Sequence, residues 1–316
     1  MKVLCVGMMV CDTLISPVPE DILELDSVRI ERPRVCCGGD ALNVALGVSK
    51  LGGTVSIVGR IGEDSNGKFI LEECRRSGVD TSGVIHDDQC GTAASYALID
   101  KKGERHFLTE KSVFYRISGD DVRDAAIEAA DAVYIGSAMA LQKMDEGGIK
   151  DVFARAHRLG KLTVMDAAVN MEDPEKDWMT LLAPAFEETD VFFPSLGEAS
   201  KLTGETEPEK IAGYFKRFPM KLFGIKLGGN GCFATNFKEE HYIGCPSGMP
   251  VVDTTGAGDS FMAGLTCALL RGWATFSAVR FASCVATLNV GAVGGTSGIP
   301  DFTEAEQFYE KWKDFL

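Results

Sequence analysis

From residue 120 onward the chain alternates short apolar runs with longer amphipathic stretches, and this alternation most constrains its fold. Strands are predicted at 132–136, 162–167, 190–193 and 223–227, helices at 120–130, 145–159, 174–187, 197–203 and 207–218, and two earlier strands at 2–7 and 54–61. Repeated strand–helix units predict a parallel sheet covered by helices on both faces. Ligands of such sheets bind at the carboxyl ends of the strands, so functional residues are expected in the loops that follow them.

Two parts of the first half of the chain have the shorter alternation that is typical of β-strands. Residues 14–36 contain three prolines between alternating apolar and polar residues. Residues 92–100 and 104–109 alternate in the same way around Lys101-Lys102-Gly103, which predicts a hairpin. We therefore expect short antiparallel strands that form a small sheet outside the main one.

A turn of small residues opens a strongly apolar helix near the C-terminal end. The turn, Gly256-Ala257-Gly258, follows a short strand-like run at 249–252 and precedes the apolar residues 261–270. The first N–H groups of a helix have no partner inside it, and together with the helix dipole they favour an anion such as a phosphate. Asp259 lies in the first turn of this helix. It is either an N-terminal cap or a general base that takes the proton from a hydroxyl group attacking phosphorus.

A second helix that is led by glycines begins near residue 40. Gly38 and Gly39 precede Asn43, and the apolar stretch that follows ends at Leu51, just before Gly52-Gly53. The glycines are either a simple helix opening or a place where bare backbone N–H groups approach a polyol. In the second case the side chain of Asn43 would both donate and accept hydrogen bonds. The residues themselves leave both interpretations open.

The two motifs resemble the two signatures of the PfkB (ribokinase-like) carbohydrate kinases. Residues 253–266 are similar to the C-terminal signature, and residues 38–45 are similar to the N-terminal signature. The resemblance implies a single domain over residues 1–316, with an α/β ribokinase-like three-layer sandwich around a mostly parallel central sheet. It also implies a small β-sheet lid, formed by residues 12–36 and 92–112.

The resemblance further implies an ATP-dependent kinase that transfers the γ-phosphoryl group to a sugar hydroxyl. Asp259 is then the catalytic base, and the N–H groups of the turn form an anion hole, contributed by Gly256, Ala257 and Gly258. The residues implied to bind the sugar are Asp12, Gly38, Gly39, Asn43 and Arg105. Arg105 could equally be a solvated arginine of the hairpin.

Sites for ATP, Mg²⁺ and a monovalent cation such as K⁺ are also implied by the resemblance. The residues implied to bind the nucleotide are Ser195, Glu198, Lys226, Gly228, Gly231 and Ser283, with Glu198 also ordering Mg²⁺. The residues implied to surround the monovalent cation are Asp253, Thr255, Asn289, Gly294 and Gly298. Ser195 and Ser283 depart from the family pattern, because many members carry Asn at these positions.

The motifs leave the acceptor of the phosphoryl group open. Residues 38–43 differ from the Gly-Gly-Lys-Gly-Ala-Asn of typical ribokinases, and Asp166-Ala167-Ala168 lacks the Asp-x-Asn-x-Arg of typical fructokinases and ketodeoxygluconate kinases. An adenosine-like nucleoside kinase is therefore the alternative, and a non-catalytic sugar or nucleotide sensor is a third hypothesis.

Residues 62–69 nearly match a P-loop, but Phe69 replaces the hydroxyl residue that holds Mg²⁺, so a strand-to-helix turn is expected.

Composition limits the partners and the compartment of the protein. A net charge of -14 and a pI near 4.8 argue against nucleic acid or an anionic membrane as the main partner. The sequence has no membrane-length apolar run, and it begins with a strand-like segment rather than a signal peptide. Its ten cysteines and four histidines show no metal-ligand spacing, so reduced thiols in a cytoplasmic enzyme are expected. A homodimer through the lid is a further hypothesis, because sheet edges pair readily.

Overall fold

The computed structural model describes residues 1–101, 104–168 and 176–316, without the side chain of Arg105. Within these ranges the strands are β1 (Lys2–Val6), β2 (Val10–Ile15), β3 (Arg34–Gly38), β4 (Thr54–Val58), β5 (Arg60–Gly62), β6 (Ile85–Asp87), β7 (Ala94–Ile99), β8 (Arg105–Glu110), β9 (Ala132–Ala138), β10 (Leu162–Ala167), β11 (Val191–Phe192), β12 (Leu222–Lys226), β13 (Cys232–Thr235) and β14 (Glu240–Ile243). The α-helices are α1 (Asp40–Lys50), α2 (Ser65–Arg76), α3 (Asp124–Ala129), α4 (Ile149–Arg158), α5 (Trp178–Phe186), α6 (Leu196–Thr203), α7 (Pro208–Phe215), α8 (Ala257–Leu270), α9 (Thr275–Asn289) and α10 (Phe302–Trp312).

The main sheet has eight strands in the order β14-β13-β12-β11-β10-β9-β1-β4. Neighbouring strands are parallel from β4 across to β12, and the two remaining pairs, β12–β13 and β13–β14, are antiparallel. Successive residues of β1 point to opposite faces, so Val3 and Cys5 lie in one apolar core while Leu4 and Val6 lie in the other. Helices α1, α8 and α9 cover the first face, and α4, α5 and α7 cover the second. This arrangement confirms the predicted α/β fold with a mostly parallel central sheet.

A separate small sheet has four strands in the order β3-β2-β7-β8. Strands β7 and β8 of the predicted hairpin pair antiparallel, while Lys102 and Gly103 of its turn lie outside the described residues. Strand β2 joins them by a parallel pairing with β7. The strands expected within residues 14–36 are confined to the two ends of that segment, where the chain completes β2 and begins β3. Prolines explain this difference, because Pro17, Pro19 and Pro33 have no N–H group to donate to a neighbouring strand.

Two predicted elements are divided at glycines. The predicted strand 54–61 ends at Val58, and the chain continues as β5, which pairs with β6 instead. A Cβ on Gly59 would lie 2.8 Å from the sulfur of Met9, so only a residue without a side chain fits at this division. The predicted helix 145–159 begins as a π-helical turn at Met144–Gly148 and becomes regular only at α4, because Gly147 has a φ of 146°.

The parallel strands place their carboxyl ends at one edge of the main sheet. Strands β1, β9, β10 and β12 all end there, and the N-terminus of α8 lies against α1 on one face. The C-terminal motif opens α8 at this edge, whereas the N-terminal motif opens α1 after β3 of the small sheet. Among the described residues, no helix is long and apolar enough to cross a membrane.

Candidate active site

The first turn of α8 is shaped by a contact that only glycine allows. Gly256 has a left-handed φ of 70°, and a Cβ at this position would overlap the carbonyl oxygen of Gly295. The N–H group of Ala257 donates to the carbonyl oxygen of Thr254 over 3.3 Å. Within the described part of the chain, no acceptor takes the N–H groups of Gly256 and Gly258. The predicted anion hole therefore has two open donors and one that is held by a long hydrogen bond.

Asp259 lies one residue beyond this turn, and its carboxylate contacts the other motif. The side-chain nitrogen of Asn43 donates to Oδ2 of Asp259 over 2.8 Å. Helix α8 has no side-chain cap, so the alternative role of Asp259 as an N-terminal cap is not what the structure contains. Burial raises the pKa of Asp259, while the hydrogen bond from Asn43 and the charge of Lys226 act in the opposite direction. The pKa of this half-buried carboxylate is raised overall, and Asn43 and Lys226 are the two groups that limit the rise.

The glycines before α1 lie against Asp12. A Cβ on Gly38 would overlap the carboxyl group of Asp12, and a Cβ on Gly39 would lie 2.6 Å from the carbonyl oxygen of Met8. Gly39 also has a φ of 86°, a backbone angle that residues with a side chain rarely adopt. Burial, and less strongly the negative charge of Asp259, raises the pKa of Asp12 to about 6. Gly38, Gly39, Asp12 and Asn43 therefore gather on the side of Asp259 where the acceptor was predicted.

Asp40 is the first residue of α1, and its carboxyl group lies at the end of β9. Its Oδ1 accepts hydrogen bonds from the N–H of Ala41 at 2.6 Å and from the hydroxyl of Ser137. Its Oδ2 is buried and has no partner among the described residues. Burial, with a smaller effect of Asp259, raises the pKa of Asp40 to about 7. A Cβ on Gly136 would lie 2.7 Å from the carboxyl carbon of Asp40, so this glycine makes room for the carboxylate.

Lys226 ends β12 and reaches across the sheet edge to Asp166 at the end of β10. Its Nζ lies 2.5 Å from Oδ2 of Asp166, and the two side chains are 16% and 3% exposed. Burial raises the pKa of Asp166 to about 7, although Lys226 lowers it. Burial also lowers the pKa of Lys226, but the nearby carboxylates of Asp166 and Glu198 raise it further than burial lowers it. A Cβ on Gly258 would lie 3.2 Å from Nζ, so the ammonium group borders the start of α8.

Ser195 and Glu198 form a capping box at the start of α6. The backbone N–H of Ser195 donates to the carboxylate of Glu198 over 2.6 Å, and the N–H of Glu198 donates to the hydroxyl of Ser195 over 3.4 Å. The charge of Glu198 still acts on Asp259 and Asp166, so its carboxylate faces the same edge of the sheet. No group of three or more metal-binding side chains occurs within the described ranges. A single carboxylate fits Mg²⁺, which usually keeps several waters and binds substrate phosphates.

The predicted nucleotide loop is a tight turn between β12 and β13. Gly228 and Gly231 have φ values of 60° and 82°, and a Cβ on Gly231 would overlap the carbonyl oxygen of Ile243. Ser283, on α9, is 2% exposed and donates its hydroxyl to the carbonyl oxygen of Gly244 over 2.7 Å. The serine therefore joins α9 to the segment after β14, beside the turn. Its role towards a nucleotide stays a prediction.

The residues predicted to surround a monovalent cation are linked to one another. The carboxylate of Asp253 accepts from the N–H of Thr255 at 2.9 Å and from the N–H of Gly294 at 3.0 Å. The N–H of Gly298 donates to Oδ1 of Asn289 over 3.1 Å. These bonds hold the loop after α9 against the turn of α8, and the cation itself stays a prediction. Arg105 pairs with Ile99 through its backbone, but its side chain lies outside the described residues, so its predicted role also remains a prediction.

Comparison with known proteins identifies the family of the chain. Residues 1–301 match the pfkB family of carbohydrate kinases. The chain belongs to this family. Membership of the pfkB family confirms the resemblance of the two motifs and the predicted enzyme class, a phosphotransferase that uses an alcohol group as acceptor.

Curated members of the pfkB family align with most of the chain. It is 29% identical over 269 residues to 2-dehydro-3-deoxygluconokinase of Bacillus subtilis (strain 168), covering 83% of each protein. It is 26% identical over 292 residues to Fructokinase-1 of Zea mays, covering 87% of this chain and 88% of the relative.

Solved structures share the fold at lower sequence identity. Fructokinase with bound ATP from Xylella fastidiosa superimposes with a TM-score of 0.85 at 20% identity, over 99% of both chains. An E. coli protein solved in complex with ATP and Mg²⁺ superimposes with a TM-score of 0.84 at 21% identity, over 98% of this chain and 99% of that one. These similarities show a common fold along the whole chain.

Three residues of the site were not among those predicted to act. Asp40 lies in the N-terminal pfkB motif without a predicted role, Asp166 lies where a fructokinase motif is missing, and no sequence pattern indicates Ser137. Each of them lies at the start of a helix or the end of a strand at the carboxyl edge of the sheet. That position was the available signal, because a polar residue at the end of a buried parallel strand faces the ligand edge.

Proposed function

We propose that this protein is an ATP-dependent sugar kinase that transfers the γ-phosphoryl group of ATP to a hydroxyl group of a carbohydrate. The observation that carries the proposal is the hydrogen bond between Asn43 and Asp259, which joins the glycine-led start of α1 to the glycine turn of α8. The relatives named as a dehydrodeoxygluconokinase and a fructokinase support a sugar as acceptor. The neighbours solved with ATP and with ATP and Mg²⁺ support the donor and the metal.

Asp259 is the general base of the proposed reaction. Its carboxylate accepts the proton of the sugar hydroxyl as that oxygen attacks the γ-phosphorus, and the bond between the γ-phosphorus and ADP breaks. Asn43 and Lys226 support this role because both oppose the rise that burial causes in the pKa of this carboxylate. The N–H groups of Gly256, Ala257 and Gly258 then donate to the oxygens of the moving phosphoryl group.

The acceptor sugar lies between Asp12 and Asp259 in this proposal. Oδ1 of Asn43 is buried and has no partner among the described residues, so it is available to a sugar hydroxyl. Asp12 and the backbone of Gly38 and Gly39 complete the binding surface, and Arg105 joins it from the hairpin. A nucleoside kinase is the second candidate. It would need an apolar surface for the nucleoside base in the same place.

The nucleotide lies along the other side of Asp259. Gly228 and Gly231 line its loop, Ser283 lies beside that loop, and Ser195 contacts the phosphates through water because serine is shorter than asparagine. Glu198 orders the shell of Mg²⁺, which neutralises phosphate charge when it is bound. A monovalent cation such as K⁺ is proposed at the loop that Asp253, Thr255, Asn289, Gly294 and Gly298 hold against α8.

The small sheet is the lid of a single domain, residues 1–316, in our proposal. Its strands carry the acceptor residue Asp12 on β2 and the backbone of Arg105 on β8. Closure of residues 12–36 and 92–112 would exclude water, whose attack on ATP would waste the phosphoryl group. Tyr96, Phe107 and Leu108 of the lid are 40%, 59% and 61% exposed, which favours a homodimer formed through this sheet.

The proposal is tested by measuring ADP release with Mg²⁺-ATP and K⁺ against a panel of pentoses, hexoses, sugar acids and nucleosides. Turnover on a sugar is expected, and turnover on a nucleoside alone would replace the proposal by the second candidate. The variant Asp259→Asn should lose about 10²-fold or more of kcat, because a positioned general base contributes that much. The matched control Asp301→Asn changes the same charge at the N-cap of α10 and should keep full activity. ATP binding without turnover on the whole panel would support the non-catalytic sensor.

A further inference from the structure

The ammonium group of Lys226 borders both a carboxylate and the turn that opens α8. Its stem is buried along the edge of the sheet, and Nζ reaches Oδ2 of Asp166 at 2.5 Å. The same Nζ would lie 3.2 Å from a Cβ on Gly258, with Cδ and Cε at 3.7 and 3.8 Å. The ammonium group is therefore in close contact with the backbone of residue 258. Lys226 is held at the site of the proposed phosphoryl transfer and not only near the nucleotide loop.

The charges at this edge of the sheet are mostly negative. The negative charge of Glu198 acts on both Asp259 and Asp166, and the positive charge of Lys226 opposes it at both. A phosphoryl group in transfer spreads negative charge over its three equatorial oxygens, so a site with a surplus of carboxylates needs a positive charge beside it. The N–H groups of α8 supply only partial charges. A buried ammonium next to them supplies a full one.

We propose that Lys226 is a catalytic residue that donates a hydrogen bond from Nζ to the transferred phosphoryl group, and that Asp166 is the positioning residue that holds Nζ beside Gly258. This inference rests on the proposed function as a kinase. Lys226 forms no covalent bond and gives up no proton in the reaction. The acceptor oxygen binds phosphorus, the bond to ADP breaks, and the hydroxyl proton passes to Asp259, while Lys226 neutralises charge throughout.

The alternative is that Lys226 only neutralises Asp166 inside the protein. Removing one partner of a buried ion pair leaves the other uncompensated, which destabilises a protein whatever the catalytic role. Replacing both partners by neutral residues of similar size removes that cost. The double variant therefore separates the two explanations, because a purely structural pair becomes dispensable when both charges are absent.

The test compares Lys226→Met, Asp166→Asn and the double variant Lys226→Met/Asp166→Asn in the full-length protein. Lys226→Met is expected to lower kcat by about 10²- to 10³-fold with little change in the KM of the sugar, as the loss of a transition-state donor does. Asp166→Asn should lower kcat by roughly tenfold, because a misplaced group loses much of its effect. The double variant should melt near the parent temperature yet stay as slow as Lys226→Met, since Asp166 acts through Lys226.

The matched control is Lys221→Met, which removes another lysine–aspartate pair just before the same strand. Nζ of Lys221 lies 2.9 Å from Asp190, at the opposite end of β12, and its side chain is 70% exposed. Its kcat should equal that of the parent protein. Recovery of parent-like kcat in the double variant would overturn the proposal and leave a structural ion pair. An unchanged kcat in a folded Lys226→Met protein would overturn it too.

A binding measurement separates this inference from the proposed kinase function. Calorimetry without acceptor compares Mg²⁺-ADP with Mg²⁺-AMP-PNP, a non-hydrolysable analogue that keeps the terminal phosphoryl group. Lys226→Met should weaken AMP-PNP by about tenfold more than ADP, because a hydrogen bond to a charged group is lost only with the analogue. Equal weakening of both nucleotides would refute the contact even if the parent protein proved to be an active kinase. Selective weakening would sustain it even if no sugar were phosphorylated.

Discussion

The hydrogen bond between Asn43 and Asp259 predicts a change in the pH dependence of catalysis. In Asn43→Ala the carboxylate loses the donor that lies 2.8 Å from its Oδ2. That donor stabilises the ionised form, and its removal raises the pKa of Asp259 beyond the rise that burial already causes. The base must be ionised to accept a proton, so the acid limb of the profile of kcat/KM should move to higher pH.

The size of the effect follows from the strength of the bond. A hydrogen bond to a charged group contributes about 1.5–3 kcal/mol, which corresponds to a loss of roughly 10- to 150-fold in kcat/KM on the acid limb. On the alkaline side Asp259 is ionised in both proteins, so this part of the loss should vanish. A loss that remains there reports the sugar contact of the Asn43 side chain and appears as a raised KM.

The assay is ADP release from pH 5 to 9 with the best acceptor of the panel. Asn236→Ala is the matched control, because Asn236 accepts from the N–H groups of Lys238 and Glu239 in an exposed turn. This turn follows Thr235, which pairs with Phe223 near the end of β12 that is opposite Lys226. Its profile should coincide with that of the parent protein. If Asn43→Ala lowered kcat/KM by the same factor at every pH, the assignment of Asn43 as the group that holds the base ionised would be refuted.

Two further substitutions test the packing and the charge of the site. Gly256→Ala should abolish most activity and lower the melting temperature, because its Cβ would overlap the carbonyl oxygen of Gly295. The control is Gly272→Ala, because Gly272 also has a positive φ, 79°, but a Cβ there meets open space. This control should lower the free energy of unfolding by only about 1–2 kcal/mol and keep full activity. Equal losses in both glycine variants would disprove the steric argument. Asp40→Asn should stabilise the protein at pH 8 but not at pH 4. Burial raises the pKa of Asp40 to about 7, so between pH 4 and 7 the folded state retains a proton that the unfolded state releases. The parent protein therefore loses stability as the pH rises through this range, and the variant does not. The measurement is the melting temperature of both proteins at pH 4 and at pH 8. The same difference at both pH values would contradict the raised pKa of Asp40.

Local sequence patterns were sufficient for the elements whose own residues determine them. Strand β10 was predicted with its observed bounds, Leu162–Ala167, because a short apolar run between two amphipathic helices allows little else. Helix α6 was predicted at 197–203 and begins one residue earlier, at Leu196, after the capping box of Ser195 and Glu198. The turn at Gly256 is equally local, since its glycines and the apolar helix after it are continuous in the chain.

Elements that depend on a distant neighbour were predicted less well. The strand expected at 54–61 was divided because Gly59 has to pass the sulfur of Met9. The helix expected at 145–159 was interrupted by Gly147, whose φ of 146° no pattern of apolar residues can indicate. At Gly59 a tertiary contact moved the boundary, whereas at Gly147 the conformation of a single glycine did so.

The sequence by itself determined the class of fold, the family, and the two glycine-led helix openings, because each depends on residues that are close together in the chain. Only the tertiary structure decided which side chains meet. Asn43 and Asp259 are 216 residues apart, Asp40 and Ser137 are 97 apart, and Lys226 and Asp166 are 60 apart. Their contacts follow from the order of strands in the sheet and from the packing of α8 on α1, and burial then sets the charge of each group. Neither the strand order nor the burial is written in a local pattern, so the chemistry of the site required the folded protein.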